Sequence, residues 1–407
     1  MIMHKLSITG GLIAFCVVLL ANCISGPVET DLRGEAYAGS HTCQKCHQEI
    51  YDGFIKTAHF NTSSDSLPVM VQEDFKDGSN VFRFSDSTSV VMEKVDGKYY
   101  QSYFRNGKKL LSHPFDIVVG SGRKAQTYLY YNDKKKISQL PISYFMAEHA
   151  WANSPGFPAT DAKFDRNVPS YCMGCHSSYI DVKQTYQGVV MQEEFEKGKL
   201  VYGIDCERCH GPAREHVEDQ GKHLTSISGL KRIQKNDLCA LCHSGFRDVQ
   251  QSLFQFKPGD DLSNFYIPDY GRVDMDSLDV HGNQTQLMMA SKCFQKSNEL
   301  TCISCHNVHV KERDDIAIFS QRCVNCHKQV SHSFAGEQQQ LGNAVQSNCI
   351  DCHMPLKASK AITMLTNQKV SAVPDYIRTH VVAVYDKESK AFVDSMLKAL
   401  PAKAASN

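Results

Sequence analysis

The sequence predicts helical and irregular segments into which a small β-meander is inserted. Three observations lead to this prediction. The pattern C-x-x-C-H occurs seven times in the 407 residues, and such motifs suit short helices. Residues 47–171 contain no cysteine and hold short β-branched and aromatic runs, separated by the hairpin turn pairs Asp96-Gly97 and Asn106-Gly107. Near the end of the chain, Lys387 to Leu400 carries apolar residues at helical spacing.

The seven motifs indicate covalently bound haem. Two thiols on one helical turn add to the two vinyl groups of a haem, and the following histidine binds the iron. Zinc ribbons use such cysteine pairs two at a time and need no histidine after them, while disulfides would leave seven histidines without a role. The predicted attachment cysteines of seven haems c are Cys43, Cys46, Cys172, Cys175, Cys206, Cys209, Cys239, Cys242, Cys302, Cys305, Cys323, Cys326, Cys349 and Cys352. The iron ligands of the same motifs are His47, His176, His210, His243, His306, His327 and His353.

Composition limits the range of partners. The 44 basic and 44 acidic residues give a formal charge of zero. Each haem adds two propionates, so the loaded protein is expected to be acidic and to meet basic patches on redox partner proteins. The same charge argues against nucleic acid as a partner. Seven macrocycles would also fill the interior, so that the haems themselves form the core.

The N-terminal residues indicate export. A basic start at Lys5 and an apolar run from Ile8 to Leu20 are typical of a signal peptide and too short to span a bilayer. The run ends in Leu20-Ala21-Asn22-Cys23, which resembles a bacterial lipobox apart from Asn22. We therefore expect lipidated Cys23 to anchor the protein in a membrane, with the alternative that Cys23 is an incidental thiol near an ordinary cleavage site.

Local patterns give the remaining elements in order. Strands are predicted at Val81 to Phe84, Ser89 to Val95, Lys98 to Phe104 and Lys108 to Leu111, with Thr127 to Tyr131 and Ile137 to Phe145 extending the same meander. Helices are predicted at Glu193 to Val201, Arg313 to Phe319 and Lys387 to Leu400. The expected organisation is a lipoprotein signal peptide (1–22), a tether (23–40), a first haem segment (41–79), the β-meander (80–150), a core with six haems (151–385) and a C-terminal helix (386–407).

The second axial ligand of each iron decides whether that haem carries electrons or binds a substrate. His309 follows His306 by three residues, and so short a link cannot reach the opposite face of the same haem. His309 is therefore expected to bind the iron of a neighbouring haem, and the same argument covers two further histidines. The predicted second ligands are His59, His216, His281, His309, His332 and His380, with His113, His149, His223 and His41 as weaker candidates.

These motifs and their surroundings resemble the multihaem cytochrome c superfamily, which includes the tetrahaem cytochromes of ammonia oxidisers, hydroxylamine oxidoreductase and pentahaem nitrite reductase. The resemblance rests on Cys43 to His59, Gly203 to Pro212, Leu300 to His309 and Cys349 to Pro355. It implies a heptahaem member whose fold is mainly α and irregular, with the β-meander as an insertion. It also implies haems in parallel and perpendicular pairs, mostly with two histidine ligands.

Two functional hypotheses remain open from the sequence. The first is an exported, lipid-anchored cytochrome of the periplasm or cell surface that transfers electrons between redox partners. The second is an oxidoreductase that acts on a small nitrogen or sulfur compound at a haem without a second protein ligand. Pentahaem nitrite reductases have lysine in place of the histidine of their catalytic motif, and no C-x-x-C-K occurs in this sequence. The electron-transfer hypothesis is therefore favoured, and no catalytic residue is assigned.

Overall fold

The computed structural model describes residues 30–65, 75–76, 78–224, 226–245, 247–266, 277–313, 315–332, 341–342, 345, 347–367 and 371–399. The predicted signal peptide and the lipidation site at Cys23 lie outside the described residues. Helix and strand contribute equally, at 27% of the residues each. The prediction of a mainly α fold is therefore wrong. Most haem motifs form single helical turns, which add little helix, while many strands find partners far away in the sequence.

Strands form one large sheet, one small four-stranded sheet and two two-stranded sheets, of which only β13-β14 is a hairpin. In chain order the strands are Ser63–Asp65 (β1), Val81–Arg83 (β2), Thr88–Val95 (β3), Lys98–Arg105 (β4), Lys108–Pro114 (β5), Ile117–Val119 (β6), Ala125–Tyr131 (β7), Ile137–Gln139 (β8), Ile142–Phe145 (β9), Ala150–Asn153 (β10), Arg166–Asn167 (β11), Ser177–Ile180 (β12), Lys183–Gln187 (β13), Val190–Glu194 (β14), Leu200–Tyr202 (β15), Leu356–Thr366 (β16) and Val373–Arg378 (β17).

The small sheet is the predicted meander, in the order β2-β3-β4-β5. Its two hairpin turns are confirmed. Asp96 and Gly97 have φ angles of 50° and 77°, and Asn106 and Gly107 have 50° and 75°, as a two-residue turn with left-handed backbone requires. Buried side chains of this sheet, including Val90 and Met92, pack with aromatic residues of the neighbouring large sheet.

The large sheet has nine antiparallel strands, with the main order β1-β6-β7-β9-β10-β16-β17. Strand β8 pairs with β7, and β11 pairs with β8. The prediction that residues 127–145 extend the meander is wrong, because β7 and β9 belong to this second sheet. In it, Ala152 of β10 pairs with Thr366 of β16. No local sequence pattern predicts a pairing between residues so far apart in the chain.

Helices are short. They are Ser40–Cys43 (α1), Gln48–Phe54 (α2), Ser170–Met173 (α3), Cys206–His210 (α4), Arg214–Glu218 (α5), Arg232–His243 (α6), Gln284–Met289 (α7), Lys292–Lys296 (α8), Ile316–Cys326 (α9), Ile350–His353 (α10) and Asp386–Ala399 (α11), with 3-10 turns at Ile227–Gly229, Leu253–Gln255, Leu262–Asn264 and Cys302–Ser304. Across the described ranges, no helix combines the length and the apolar character that crossing a bilayer requires.

Two of the three predicted helices are present. The helix predicted at 313–319 begins at Ile316, because the side chain of Asp315 accepts a hydrogen bond from the Ile318 amide and caps it. The C-terminal helix, α11, matches its prediction closely. The helix predicted at 193–201 is wrong. Residues 190–194 pair with β13, and Gly198, with a φ of 79°, turns the chain into β15.

Candidate haem centres

The seven motifs share a local geometry that brings both cysteines and the histidine to one place. In four of them the histidine amide donates a hydrogen bond to the carbonyl oxygen of the first cysteine, at 2.9 to 3.0 Å. These bonds join His47 to Cys43, His306 to Cys302, His327 to Cys323 and His353 to Cys349. A single closed turn of this kind places the two thiols along one edge and lets the imidazole project beside them.

Five motif histidines face a second histidine ring. The ring centroids are 6.2 Å apart for His47 and His216, 6.0 Å for His210 and His309, 6.1 Å for His306 and His380, 6.4 Å for His353 and His332, and 6.1 Å for His243 and His59. Each pair unites one predicted motif ligand with one predicted second ligand. Each pair also comes from two distant parts of the chain or from two different motifs.

The spacing of these rings fits one iron between them. A metal lies about 2 Å from a bound imidazole nitrogen, so two rings on opposite sides of one iron have centroids about 6 Å apart. Four pairs are close to coplanar or moderately tilted, with interplanar angles of 11° to 37°. His59 and His243 differ, because their planes cross at 85°. The paired histidines and adjacent cysteines therefore fit the haem c that the sequence implies.

Burial and the charge of nearby His281 lower the pKa of His176, but no ring contact joins these two histidines among the contacts that the structure shows. The Nδ1 atom of His176 lies 3.2 Å from the hydroxyl of Thr62, which holds the ring in place. Five of the six predicted second ligands therefore face a motif histidine. No second ring faces His176 or His327 among the histidines that the structure describes.

Burial keeps several of these imidazole rings neutral. Burial lowers the pKa of His176, His243 and His380 to about 4, and also lowers the pKa values of His59 and His306. A neutral imidazole retains the lone pair that a metal ion needs.

One hydrogen bond also fixes which ring nitrogen of His353 is free. The Nδ1 atom of His353 lies 2.9 Å from the carbonyl oxygen of Ala383 and donates a hydrogen to it. That contact leaves Nε2 for an iron.

The weaker candidates have other contacts in the described structure. The ring of His113 stacks on Tyr130 at 4.1 Å within the β-sheet region. His223 contacts the carboxylate of Asp219 on the surface. Neither side chain lies against a motif histidine in the contacts that the structure shows. The ring contacts therefore distinguish five of the predicted second ligands from His113 and His223.

Cysteines of different motifs meet in pairs. Thiols lie next to each other in four such pairs, Cys43 and Cys206, Cys175 and Cys242, Cys239 and Cys302, and Cys323 and Cys349. In the loaded protein these sulfur atoms would be thioethers on the edges of the macrocycles. The contacts therefore connect the first motif with the third, the second with the fourth, the fourth with the fifth and the sixth with the seventh.

A buried charge cluster, which sequence analysis did not find, ties the end of the predicted tether to the third motif. Arg33 forms ion pairs with Asp31, Asp205 and Glu207 at 2.8 to 3.0 Å. Glu207 lies between the cysteines of the third motif and also accepts hydrogen bonds from the amides of Ala38 and Gly39. Hydrogen bonds and charge attraction from these carboxylates raise the pKa of Arg33 despite its burial. No spacing signal marks these residues in the sequence.

Comparisons with known proteins agree with this chemistry. A family model described as cytochrome c554 and c-prime matches residues 147–211, which include the second and third motifs. The chain is 22% identical over 176 residues to multiheme cytochrome MtrA of Shewanella baltica, covering 38% of this chain and 51% of that protein. It is 23% identical over 301 residues to dissimilatory sulfite reductase MccA of Wolinella succinogenes, covering 63% of this chain and 39% of that protein.

The fold is similar to that of a solved cytochrome. The crystal structure of outer cell wall cytochrome OcwA superposes with a TM-score of 0.55 and 16% identity, over 88% of this chain and 82% of the other. The chain spans about half or less of the length of the two curated relatives. Together these matches support a c-type cytochrome with several haems and relatives among electron-transfer proteins, in a fold rich in β-structure.

Proposed function

We propose that this protein is an exported heptahaem cytochrome c that transfers electrons between redox partner proteins of the periplasm or cell surface. The observation that carries the proposal is the set of five histidine pairs whose ring centroids lie 6.0 to 6.4 Å apart. An iron with two histidine ligands has no free position for a substrate, so its role is to accept and pass on electrons.

The contacts between motifs support a continuous route for those electrons. Each thiol pair places the edges of two macrocycles side by side, because the sulfur is bonded directly to the haem. Cys209 of the third motif also lies near Cys242 of the fourth, and Cys305 of the fifth near Cys326 of the sixth. The expected order is first, third, fourth, fifth, sixth and seventh, with the second beside the fourth.

The location and partners follow from the sequence features described above. The apolar run before Asn22 supports export, and Cys23 supports a lipid anchor in a membrane. The MtrA and OcwA relatives are cytochromes by name, and the latter is an outer cell wall protein. An acidic surface from haem propionates would favour basic patches on the redox partners.

A second candidate is an oxidoreductase that acts on a small nitrogen or sulfur compound. The specific observation in its favour is that two motif histidines, His176 and His327, face no second histidine ring in the described structure. One relative, MccA, is named as a dissimilatory sulfite reductase. Turnover of sulfite, nitrite or hydroxylamine by the purified holoprotein would favour this second function, whereas electron exchange without such turnover would favour the first.

The number of haems tests the common basis of both functions. All seven motifs keep both thiols and the iron ligand, so the intact mass of the mature protein should exceed the polypeptide mass by seven haems. Peptide mapping would show which cysteine pair carries each one. A mass with five or fewer haems would contradict the proposal that the motifs are equivalent.

A further inference from the structure

We propose that Arg33 and Glu207 are positioning residues that fix the first haem against the third and set the reduction potentials of both. The inference rests on the proposed function, because it requires haem at the first and third motifs. Both residues belong to the buried charge cluster with Asp31 and Asp205, and neither attaches a haem or binds an iron. The end of the predicted tether thereby becomes part of an electron-transfer centre.

Arg33 holds the charge cluster together from inside the protein. Its side chain keeps 4% of its surface exposed, and those of Asp205 and Glu207 keep 5% and 0%. The guanidinium group donates hydrogen bonds to Asp31 at 2.8 and 2.9 Å, to Asp205 at 3.1 Å and to Glu207 at 3.0 Å. A charge that is removed from water without such partners is strongly destabilising. The segment that carries Arg33 is therefore held firmly against the third motif.

Glu207 places a negative charge at the edge of the third haem. It directly follows Cys206, so its backbone belongs to the attachment motif itself. Its Oε1 atom accepts hydrogen bonds of 2.9 Å from the amides of Ala38 and Ala213. Its Oε2 atom accepts one of 2.9 Å from the Gly39 amide, besides the bond from the guanidinium group. Each of these contacts is with a donor, which is what an ionised carboxylate requires.

The charge cluster also lies beside the first haem. The amide of Cys206 donates a hydrogen bond of 3.2 Å to the hydroxyl of Ser40, and the thiol of Cys43 lies next to that of Cys206. The charges of Asp205 and Glu207 reach the thiol of Cys43 as well. Reduction removes one positive charge from a haem, so a negative neighbour lowers its potential and a positive neighbour raises it. The carboxylates and the guanidinium group therefore have opposite effects on the potentials of the first and third haems.

Arg214 offers a matched control, because it holds the same segment through uncharged groups. Its side chain donates hydrogen bonds to the carbonyl oxygens of Glu35 and Tyr37, at 3.2 and 2.8 Å. Its charge acts on Asp31 without a hydrogen bond to that carboxylate among the contacts that the structure shows. Loss of Arg214 therefore loosens the segment and leaves the buried carboxylates paired, whereas loss of Arg33 removes their partner.

The experiment uses the full-length holoprotein, with seven haems verified by intact mass in every variant, and follows the haem absorption in a redox titration. In Glu207→Gln, which keeps the size of the side chain, two of the seven potentials should rise. At least one should change by about tenfold in its reduction equilibrium, which is about 59 mV for one electron. Arg33→Gln should lower the same two potentials by a similar factor. Arg33→Lys, which keeps the charge, should restore most of that loss, and Arg214→Gln should change both equilibria by less than about threefold.

The direction of the shifts separates an effect of charge from a purely structural role. Loosening of the segment would move the potentials in the same direction in Glu207→Gln, Arg33→Gln and Arg214→Gln, because each variant would let water approach the same haems. Such parallel shifts, or unchanged potentials, in proteins with seven haems would overturn the proposal.

The Arg33 variants keep the test decisive if Glu207→Gln does not assemble, because they leave every attachment motif unaltered. Equal potentials in Arg33→Gln and Arg33→Lys would then overturn the proposal, and lower potentials in Arg33→Gln alone would support it. A wild type with fewer than seven haems would instead contradict the proposed stoichiometry, whereas unshifted potentials in a protein with seven would contradict only the role of the charge cluster.

Discussion

At the scale of single residues, the second ligands come from places that depend on the fold. His309 follows His306 by three residues and yet faces His210 of the third motif at 6.0 Å. His216, six residues after His210, faces His47 of the first motif. Each short segment after a motif thus reaches a neighbouring centre, and the haems would hold one another in position through the chain.

His309→Gly tests this arrangement. The variant should keep seven haems, because His309 is not part of an attachment motif. The haem at Cys206 and Cys209 should lose its second ligand and give a new high-spin signal that binds cyanide. The control is His113→Gly, which removes a ring stacked on Tyr130 and should leave the spin states unchanged. An unchanged spectrum in His309→Gly would remove this histidine from the set of ligands.

The sequence predicts the histidines of the candidate site for a chemical reason. Covalent attachment requires a fixed motif, so the cysteines and first ligands could be identified without a structure. Some of the second ligands were predicted because a histidine only a few residues after a motif cannot reach the opposite face of the haem bound by that motif. Which ring faces which motif depends on tertiary contacts, as His59 and His243 illustrate, since 184 residues separate them. The charge cluster at Arg33 and Glu207 has no such motif and could not be predicted.

At the scale of elements, Gly203 sets the distance between β15 and the loop that carries His59. Its φ is +64°, and a Cβ atom there would collide with the carbonyl oxygen of Phe60. The amide of Gly203 donates a hydrogen bond to the Ser63 hydroxyl, and the Ile204 amide donates one to the His59 carbonyl. Only glycine allows this close approach, which fixes His59 relative to the third motif.

Gly203→Ala should therefore disturb a haem centre that the residue does not touch. Backbone strain of this kind costs about 1 to 3 kcal/mol, and a shift of His59 should expose the haem bound through His243. We expect a lower melting temperature and a partial high-spin signal in the holoprotein. Gly229→Ala provides the comparison, because no atom lies within 4 Å of its would-be Cβ. Equal spectra for the two variants would contradict this role for Gly203.

Turns, helices and strands could be predicted where the residues that determine them are neighbours in the sequence. The turns at Asp96-Gly97 and Asn106-Gly107 require residues that tolerate left-handed backbone, and both hairpins are present. The large sheet was missed because its strands pair across long separations. The helix predicted at 193–201 is absent because Glu193 and Glu194 pair with β13 and the chain then turns at Gly198. Pairing of this kind has no signature within a short window of sequence.

At the scale of the whole molecule, the proposed attachment to a membrane would depend on Cys23, which lies outside the described structure. Cys23→Ser should move the protein from the membrane fraction to the soluble fraction, because the lipid chains would be lost. The haem content should stay at seven, since Cys23 belongs to no motif. Continued membrane association of the variant would show that another feature holds the protein there.

The pairing of β10 with β16 also bears on how the protein is made. Strand β16 begins at Leu356, three residues after the seventh motif ends at His353. If the protein is exported as proposed, with its N-terminus first, the chain can complete the large sheet only after every attachment motif has left the export channel. Contacts between residues that are so far apart in the sequence form slowly. The delay would keep the motifs open to the attachment machinery, so that the sheet closes over haems that are already bound.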